Sequence, residues 1–301
     1  MRRAAARGDR GYGLSIGGVS IQVTSAEGGP AIRPGPIARR FSATTDDPDL
    51  EFSVRWGDLA APPDGRPVFE TVFPWKLYRL GEGSEFRFFS ATLGNTAYAA
   101  LRTSRDYTAG EVVLHRPFFP GCGPLDPIQF PIDEVLFVHY LSGGRGVVLH
   151  ACAVVDADGT GFLFCGESGD GKTTMARLWE RLPGARILTD DRVILRTDAD
   201  RVLMYGTPWH GEAEFAENVG KPVDRIFFLE HGHDNAFISL SPFDALTRLL
   251  VRCFPVYHEV GTMNATLALL ERIARDLPCG RLRFVPDAGA PLFVREVLAT
   301  R

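Results

Sequence analysis

The run Gly166-Glu167-Ser168-Gly169-Asp170-Gly171-Lys172-Thr173 constrains this chain more than any other stretch. It fits G-x-x-x-x-G-K-[ST], a loop whose backbone cradles phosphates. Before it, Gly161-Phe162-Leu163-Phe164-Cys165 is short, apolar and strand-like. After it, residues 174–182 carry apolar side chains at helical spacing. Strand, glycine loop and helix together are the context that phosphate binding needs. The glycines let backbone N–H groups approach an anion, and the helix N-terminus adds partial positive charge. The expected nucleotide-contacting set is therefore Gly166, Glu167, Ser168, Gly169, Asp170, Gly171, Lys172, Thr173 and Thr174. Lys172 would reach the β- and γ-phosphates of a nucleoside triphosphate, and the Thr173 hydroxyl would sit on Mg²⁺. The alternative is a glycine-rich turn that matches by accident.

Composition sets the outer bounds. The 301 residues are enough for two domains or one large one. Hydrophobic residues at 45% and charged residues at 23% suit an ordinary globular core without disulfides or metal. The formal net charge of -4 gives no global reason to expect nucleic acid as a partner. No segment offers the ~18 consecutive apolar residues of a membrane span, so no membrane partner is expected. Five cysteines without a C-x-x-C pair, and a basic start at residues 1–8 with no apolar run behind it, point to a reducing cytoplasm. Cys152 and Cys165 read as small core residues, and the basic start as a frayed end.

Residues 1–130 read as a β-rich region. Two alternating runs over 13–23 enclose a glycine pair, and 51–56 alternates again. Residues 58–67 read as a loop. Strand candidates at 76–80, 85–90, 96–101 and 111–114 are punctuated by Gly, Asn and Asp, which predicts an antiparallel sheet. A Pro/Gly cluster over 117–127 closes the region. From 131 to 301 the pattern becomes α/β. A helix is expected over 132–141, with Val135, Leu136, Val138 and His139 on its packed side. Strands are expected at 147–155 and 161–165, joined by a hairpin at Asp156-Ala157-Asp158-Gly159. Further strands follow at 186–191, 192–196, 201–205, 224–230 and 281–285. Helices are expected within 242–277 and over 291–298.

The loop needs a second anchor for its metal, and Asp190-Asp191 ends a strand at the right remove. One carboxylate could hold Mg²⁺ and the other accept a proton from an attacking hydroxyl. Side chains alternate along a strand, so the two should point differently. The plainer reading is a solvated turn with Arg192 pairing one of them. His150 lies mid-strand among apolar neighbours, the usual place of a hydrogen-bonded core histidine. Its strand pairs through a tight hairpin with the one entering the loop, which could bring the imidazole beside the phosphates or the aspartates. Gly206-Thr207-Pro208-Trp209-His210-Gly211-Glu212 is either a structural turn or a wall of the site. Glu212, Glu214 and Glu217 are candidates for metal or substrate contacts that the sequence does not separate. Tyr257, His258 and Glu259 are polar enough for a surface role, with no function attached.

His150, the loop from Gly166 to Thr173 and the run Thr189-Asp190-Asp191-Arg192-Val193 occur in an order and at a spacing that resemble the HPr kinase/phosphorylase family. The resemblance covers about residues 147–196. It extends more weakly to the Gly-Thr-Pro-Trp segment and to 227–230. It implies a P-loop domain related to phosphoenolpyruvate carboxykinases and HPr kinases at the C-terminal end, with the β-rich region before it. It also implies phosphorylation of a serine hydroxyl by Mg-ATP. Under it, Lys172 and the loop bind phosphates, Thr173 and Asp191 serve the metal, Asp190 is the first choice of base with His150 assisting, and Asp191 is the alternate. The region before residue 131 has no quotable match to the family's N-terminal domain, and the family's second signature is absent. The chain is therefore more similar to HPr-kinase-like proteins that modify peptides, including lasso-peptide precursors, and the expected partner is a peptide or small protein bearing a serine. A homo-oligomer is compatible with this, since hexamers occur in the resembled family. The alternatives are a small-molecule kinase, a non-catalytic ATP-sensing regulator, and a phosphorylase running the reaction backwards.

Overall fold

The computed structural model of the chain describes residues 10–61, 63–71, 74–92 and 94–299, so the basic start over residues 1–8 lies outside the described residues. The chain divides into two compact units, Met1–Ser15 with Val19–Tyr140, and Ile16–Gly18 with Leu141–Arg301.

The first unit is built on strands β1 (Gly11–Ile16), β2 (Val19–Ser25), β3 (Leu50–Gly57), β4 (Phe69–Glu70), β5 (Trp75–Leu80), β6 (Gly83–Phe88), β7 (Ala99–Thr103) and β8 (Ala109–His115), in the order β1-β2-β3-β8-β7-β6-β5-β4. The glycine pair closing β1 and β2 has φ of 62° and 69° at Gly17 and Gly18, the left-handed pair that a two-residue hairpin turn demands. The expectation of an antiparallel sheet is only half met. β5 to β8 form an antiparallel meander, but β3 runs parallel to both β2 and β8. Parallel neighbours need a long crossover. Residues 26–49 supply one, and alternation of side chains says nothing about strand direction. One face of the sheet carries Val54, Val112, Leu101 and Phe86, all fully buried. The opposite face carries a cross-strand ion network. Glu111 accepts from Arg55 at 2.7 Å and Arg102 at 2.9 Å, and Glu85 accepts from Arg102 at 2.6 Å and from Arg87. Helix α1 (Ile132–Ser142) follows. Phe137 is buried as well as Val135, Leu136 and His139, so its packed surface is wider than the side expected from the sequence.

The second unit carries β9 (Val147–Val155), β10 (Gly161–Cys165), α2 (Lys172–Glu180), β11 (Arg186–Thr189), β12 (Arg192–Asp198), β13 (Arg201–Tyr205), β14 (Gly220–Pro222), β15 (Arg225–His231), β16 (Ala236–Ser239), α3 (Pro242–Val251), α4 (Val260–Asp276), β17 (Cys279–Phe284) and α5 (Gly289–Ala299). Its sheet runs β14-β13-β12-β9-β10-β15-β17-β16, with β11 also on β9. β10, β15 and β17 are parallel, and β9 and β10 form the expected hairpin. Period-two alternation splits the core into two layers. Leu163 and Cys165 face a layer containing Leu249 of α3 and Leu270 and Ile273 of α4. Phe162 and Phe164 face Met175 and Trp179 of α2 and Val294 of α5. The unit is thus a sheet covered by helices on both faces, a mixed α/β architecture. β14 and β16 were not expected. The first is three residues containing Gly and Pro, and the second is too short to alternate visibly. Cys152 and Cys165 are fully buried, as expected, and burial pushes the Cys165 thiol up to about 12. Among the described residues no helix is long and apolar enough to cross a membrane.

Candidate functional site

The site begins where β10 ends. Residues 166–171 turn sharply and deliver the chain into α2, whose first residue is Lys172. Gly171 caps the helix with φ 97°, and a Cβ there would come 2.7 Å from the Phe284 ring at the end of β17. Both backbone and space therefore require glycine at this position. Gly169 has φ 92° with open space around it. Lys172 is only 6% exposed. Its Nζ folds back onto the carbonyls of Gly166 at 3.0 Å and Glu167 at 2.7 Å. Burial lowers its pKa, and the nearby Asp191 and Asp170 carboxylates pull the other way without winning. Asp170 accepts from the backbone N–H of Glu167 at 2.5 Å. A carboxylate thus occupies one of the loop's backbone donors. Thr173 is half-buried and Ser168 and Thr174 are exposed at the rim.

The two aspartates sit in an irregularity of one long edge. β11 pairs with the C-terminal half of β9 and β12 with its N-terminal half. The register shifts between Ile187 and Thr189. A bulge of this kind re-aims side chains, and here it separates adjacent carboxylates. Asp190 is 1% exposed. It accepts from the backbone N–H groups of Gly211 at 2.9 Å and Ala213 at 3.2 Å, so it ties down the turn after Trp209. A Cβ on Gly211 would meet the Asp190 Oδ2 at 2.8 Å. Asp191 turns to the other side. Its Oδ1 lies 2.9 Å from His150 Nε2, and its Oδ2 accepts from Arg192. Burial pushes the Asp191 pKa up, but the His150 bond and the Arg192 and Lys172 charges outweigh it and hold the carboxyl below its ordinary range.

The geometry therefore gathers Lys172, Asp191 and His150 and aims the Asp190 carboxylate at the 211–213 turn. Three further residues join the group that the sequence did not single out. Arg252, at the C-terminal end of α3, has a side chain 9% exposed. Its guanidinium lies over the Phe228 ring at 5.6 Å, and its Nη2 approaches Glu167 at 3.8 Å and Asp170 at 3.9 Å. Among the described residues its buried Nε has no hydrogen-bond partner. Phe254 supports the carboxylate's two partners. Arg192 stacks on its ring at 4.5 Å, and His150 meets it edge-on at 6.4 Å. Its backbone N–H bonds to Val148 at 3.0 Å, fastening the segment to β9. His231 bonds the Gly169 carbonyl at 2.8 Å. These residues lie 62 or more positions beyond Gly169, with no spacing motif to mark them.

The remaining candidates fall elsewhere. Trp209 is packed at 4% exposure, the structural alternative for its turn. The His210 ring bonds the Gly211 carbonyl at 2.8 Å. Glu217 is held by Arg186 at 2.5 Å, and Glu212 and Glu214 are exposed. Tyr257 is 66% exposed. Among the described residues no three His, Cys, Asp or Glu side chains cluster as a metal site.

No protein-family model matches the chain, and no curated protein matches it. Among solved structures, the Hpr(Ser) kinase/phosphatase from Coxiella burnetii aligns with 14% sequence identity and a TM-score of 0.29, over 50% of this chain and 93% of that one. Values that low establish neither a shared fold nor a shared activity.

Proposed function

We propose that the second unit is a P-loop kinase domain of the HPr-kinase-like type that transfers the γ-phosphoryl group of Mg-ATP to a serine hydroxyl on a peptide or small protein. The observation that carries this reading is the 2.9 Å contact of His150 with Asp191, on the strand hairpin that feeds a glycine loop holding a buried lysine. The residues fit a nucleotide. Lys172 is a desolvated cation resting on backbone carbonyls, Arg252 brings a second buried cation with an unused N–H, and the loop ends at a helix N-terminus. They also fit Mg²⁺, which keeps several waters and takes one or two protein ligands beside phosphate oxygens. Thr173 would supply a direct ligand and Asp191 would act on the metal through its bound water, so no cage of carboxylates is needed.

When bound, Mg-ATP supplies the transferable phosphoryl group and neutralises charge on the leaving oxygens. The chain's own residues do the rest. Lys172 and Arg252 balance the negative charge that spreads over the transferring group. Asp191 accepts the proton of the serine hydroxyl. A carboxylate held below its ordinary range is a weak base, but loose phosphoryl transfer asks little of the base. His150 and Arg192 fix the orientation of Asp191, and Phe254 holds both of them. The geometry leads us to prefer Asp191 over Asp190 as the base, because the Asp191 side chain keeps about a quarter of its surface exposed near Lys172, whereas Asp190 is 1% exposed and turned onto the 211–213 turn. The first unit's role is acceptor recognition. A peptide-modifying enzyme in the cytoplasm is the finer form of the same proposal.

The test is incubation with γ-labelled ATP, Mg²⁺ and serine peptides, read by mass spectrometry. Lys172→Ala and Asp191→Asn should abolish transfer, with Asp191→Asn still binding nucleotide. Full transfer by both variants would sink the assignment.

A further inference from the structure

One end of the first unit's sheet forms an aromatic groove that the proposed chemistry does not use. Five neighbouring strands bring Trp56, Arg116, Tyr98, Phe89 and Pro74 to this end in spatial order. The chain is tied there by His115 N–H to Tyr98, Tyr98 N–H to Phe88 and Phe89 N–H to Pro74, at 2.9, 2.9 and 2.8 Å. Two hollows open along it, of about 480 Å³ beside Trp56 and Arg116 and about 360 Å³ beside Phe89, Tyr98 and Phe130. Phe119 walls both, so they are halves of one groove. Four inter-strand spacings of about 4.8 Å make it about 19 Å long. That is the span of about six extended residues.

Its polarity is specific. Among the described residues, Arg116 is the one formally charged side chain lining either hollow. Its guanidinium lies 5.8 Å over the Trp56 ring, and it forms no ion pair with a carboxylate among the described residues. A cation held over the ring at that distance makes no hydrogen bond to it, which leaves the N–H fork for a carboxylate. The other hollow is aromatic and apolar, with Phe130 60% exposed. Burial raises the Tyr98 hydroxyl to about 12, so it stays a neutral donor there.

We propose that this groove holds an extended peptide segment of about six residues, with an acidic side chain on Arg116 and an aromatic or bulky apolar side chain in the hollow beside Phe130. Identifying that segment as part of the phosphate acceptor rests on the kinase reading. Binding itself does not, and is tested without nucleotide.

The probe is a library of random heptapeptides displayed on phage, selected against the full chain. Enriched sequences should place Asp or Glu three to five positions from Phe, Trp, Leu or Tyr. A synthetic peptide of that sequence should bind with an affinity that Arg116→Gln weakens about tenfold. Changing the peptide's acid to its amide should weaken binding equally, and the two changes together should add nothing further. Phe130→Ser should weaken binding independently. Both side chains are exposed, so melting curves should match the parent. Absence of an acid-to-aromatic motif, or an affinity that ignores both substitutions, overturns the proposal. So does a dimer that Phe130→Ser dissociates, which would make the groove an interface between copies. If a serine-bearing form of the peptide binds through Arg116 yet is never phosphorylated, the kinase reading fails while the groove stands. If wild type and Arg116→Gln phosphorylate it equally, the groove is not the acceptor's.

Discussion

Lys172→Met should raise the stability of the nucleotide-free protein while destroying nucleotide binding. Lys172 is 6% exposed, and its ammonium is bonded to two loop carbonyls at 3.0 and 2.7 Å. Burying an ion costs several kcal/mol, and each charged hydrogen bond returns about 1.5–3 kcal/mol. The two sums nearly cancel, and the pKa decides the sign. Burial lowers the Lys172 pKa, so the unfolded chain holds the proton more tightly than the folded one. Stability must then rise with pH between the folded pKa and the ordinary lysine range, and at neutral pH the charge is a net cost. Methionine keeps the stem and removes the charge, and the two carbonyls that lose their donor belong to a loop exposed at residues 167–169, where water can replace it. The gain is then on the order of 1 kcal/mol, or a Tm about 3 °C higher for a unit of this size. Calorimetry from neutral to alkaline pH measures both. The variant should lose the alkaline rise of the parent, and a non-hydrolysable ATP analogue with Mg²⁺ should raise the Tm of the parent alone. A lower Tm for Lys172→Met, with an unchanged pH profile, would refute the reasoning.

Three further outcomes follow from the same geometry. Asp170→Asn removes the charge that sits on the Glu167 N–H, so nucleotide affinity measured by calorimetric titration should rise about tenfold, the low end of a charged hydrogen bond's worth. Asp191 is held below its ordinary range chiefly by the His150 bond acting against burial, so the acid limb of kcat should lie below the usual carboxylate range. His150→Ala should move that limb up, while a limb that stays put would separate His150 from the carboxylate. Asp190→Ala leaves two backbone N–H groups without their acceptor, which should cost about 2–4 kcal/mol in chemical denaturation and, with folded protein, leave residual transfer.

The second unit was the more legible of the two, and the reason is local. β9 and β10 follow the expected bounds because their apolar runs are continuous and their turn ends in Gly159 at φ 93°. The glycine loop stands between a buried strand and an amphipathic helix, each readable by its own period. What stayed hidden was set by tertiary contacts. Asp190 and Asp191 are chemically identical in sequence, and only the bulge on β9 sends one to Gly211 and the other to His150. Arg252 and Phe254 reach the site from the far end of α3, where no spacing rule ties them to the loop. In the first unit the strands were visible one by one, but the parallel placement of β3 between β2 and β8 depends on a crossover without regular strands. The buried Glu85 reads as an exposed strand residue until its arginine partners are in place.

The central claim is phosphoryl transfer from ATP to a serine at the Lys172 and Asp191 site. It is tested most directly by following γ-labelled phosphate into a serine-bearing acceptor peptide under single-turnover conditions, with Asp191→Asn run beside the parent. The account predicts label on the serine with the parent and none with the variant, both having bound the nucleotide. Bound nucleotide with no label on any serine, or equal labelling by the two proteins, would contradict it.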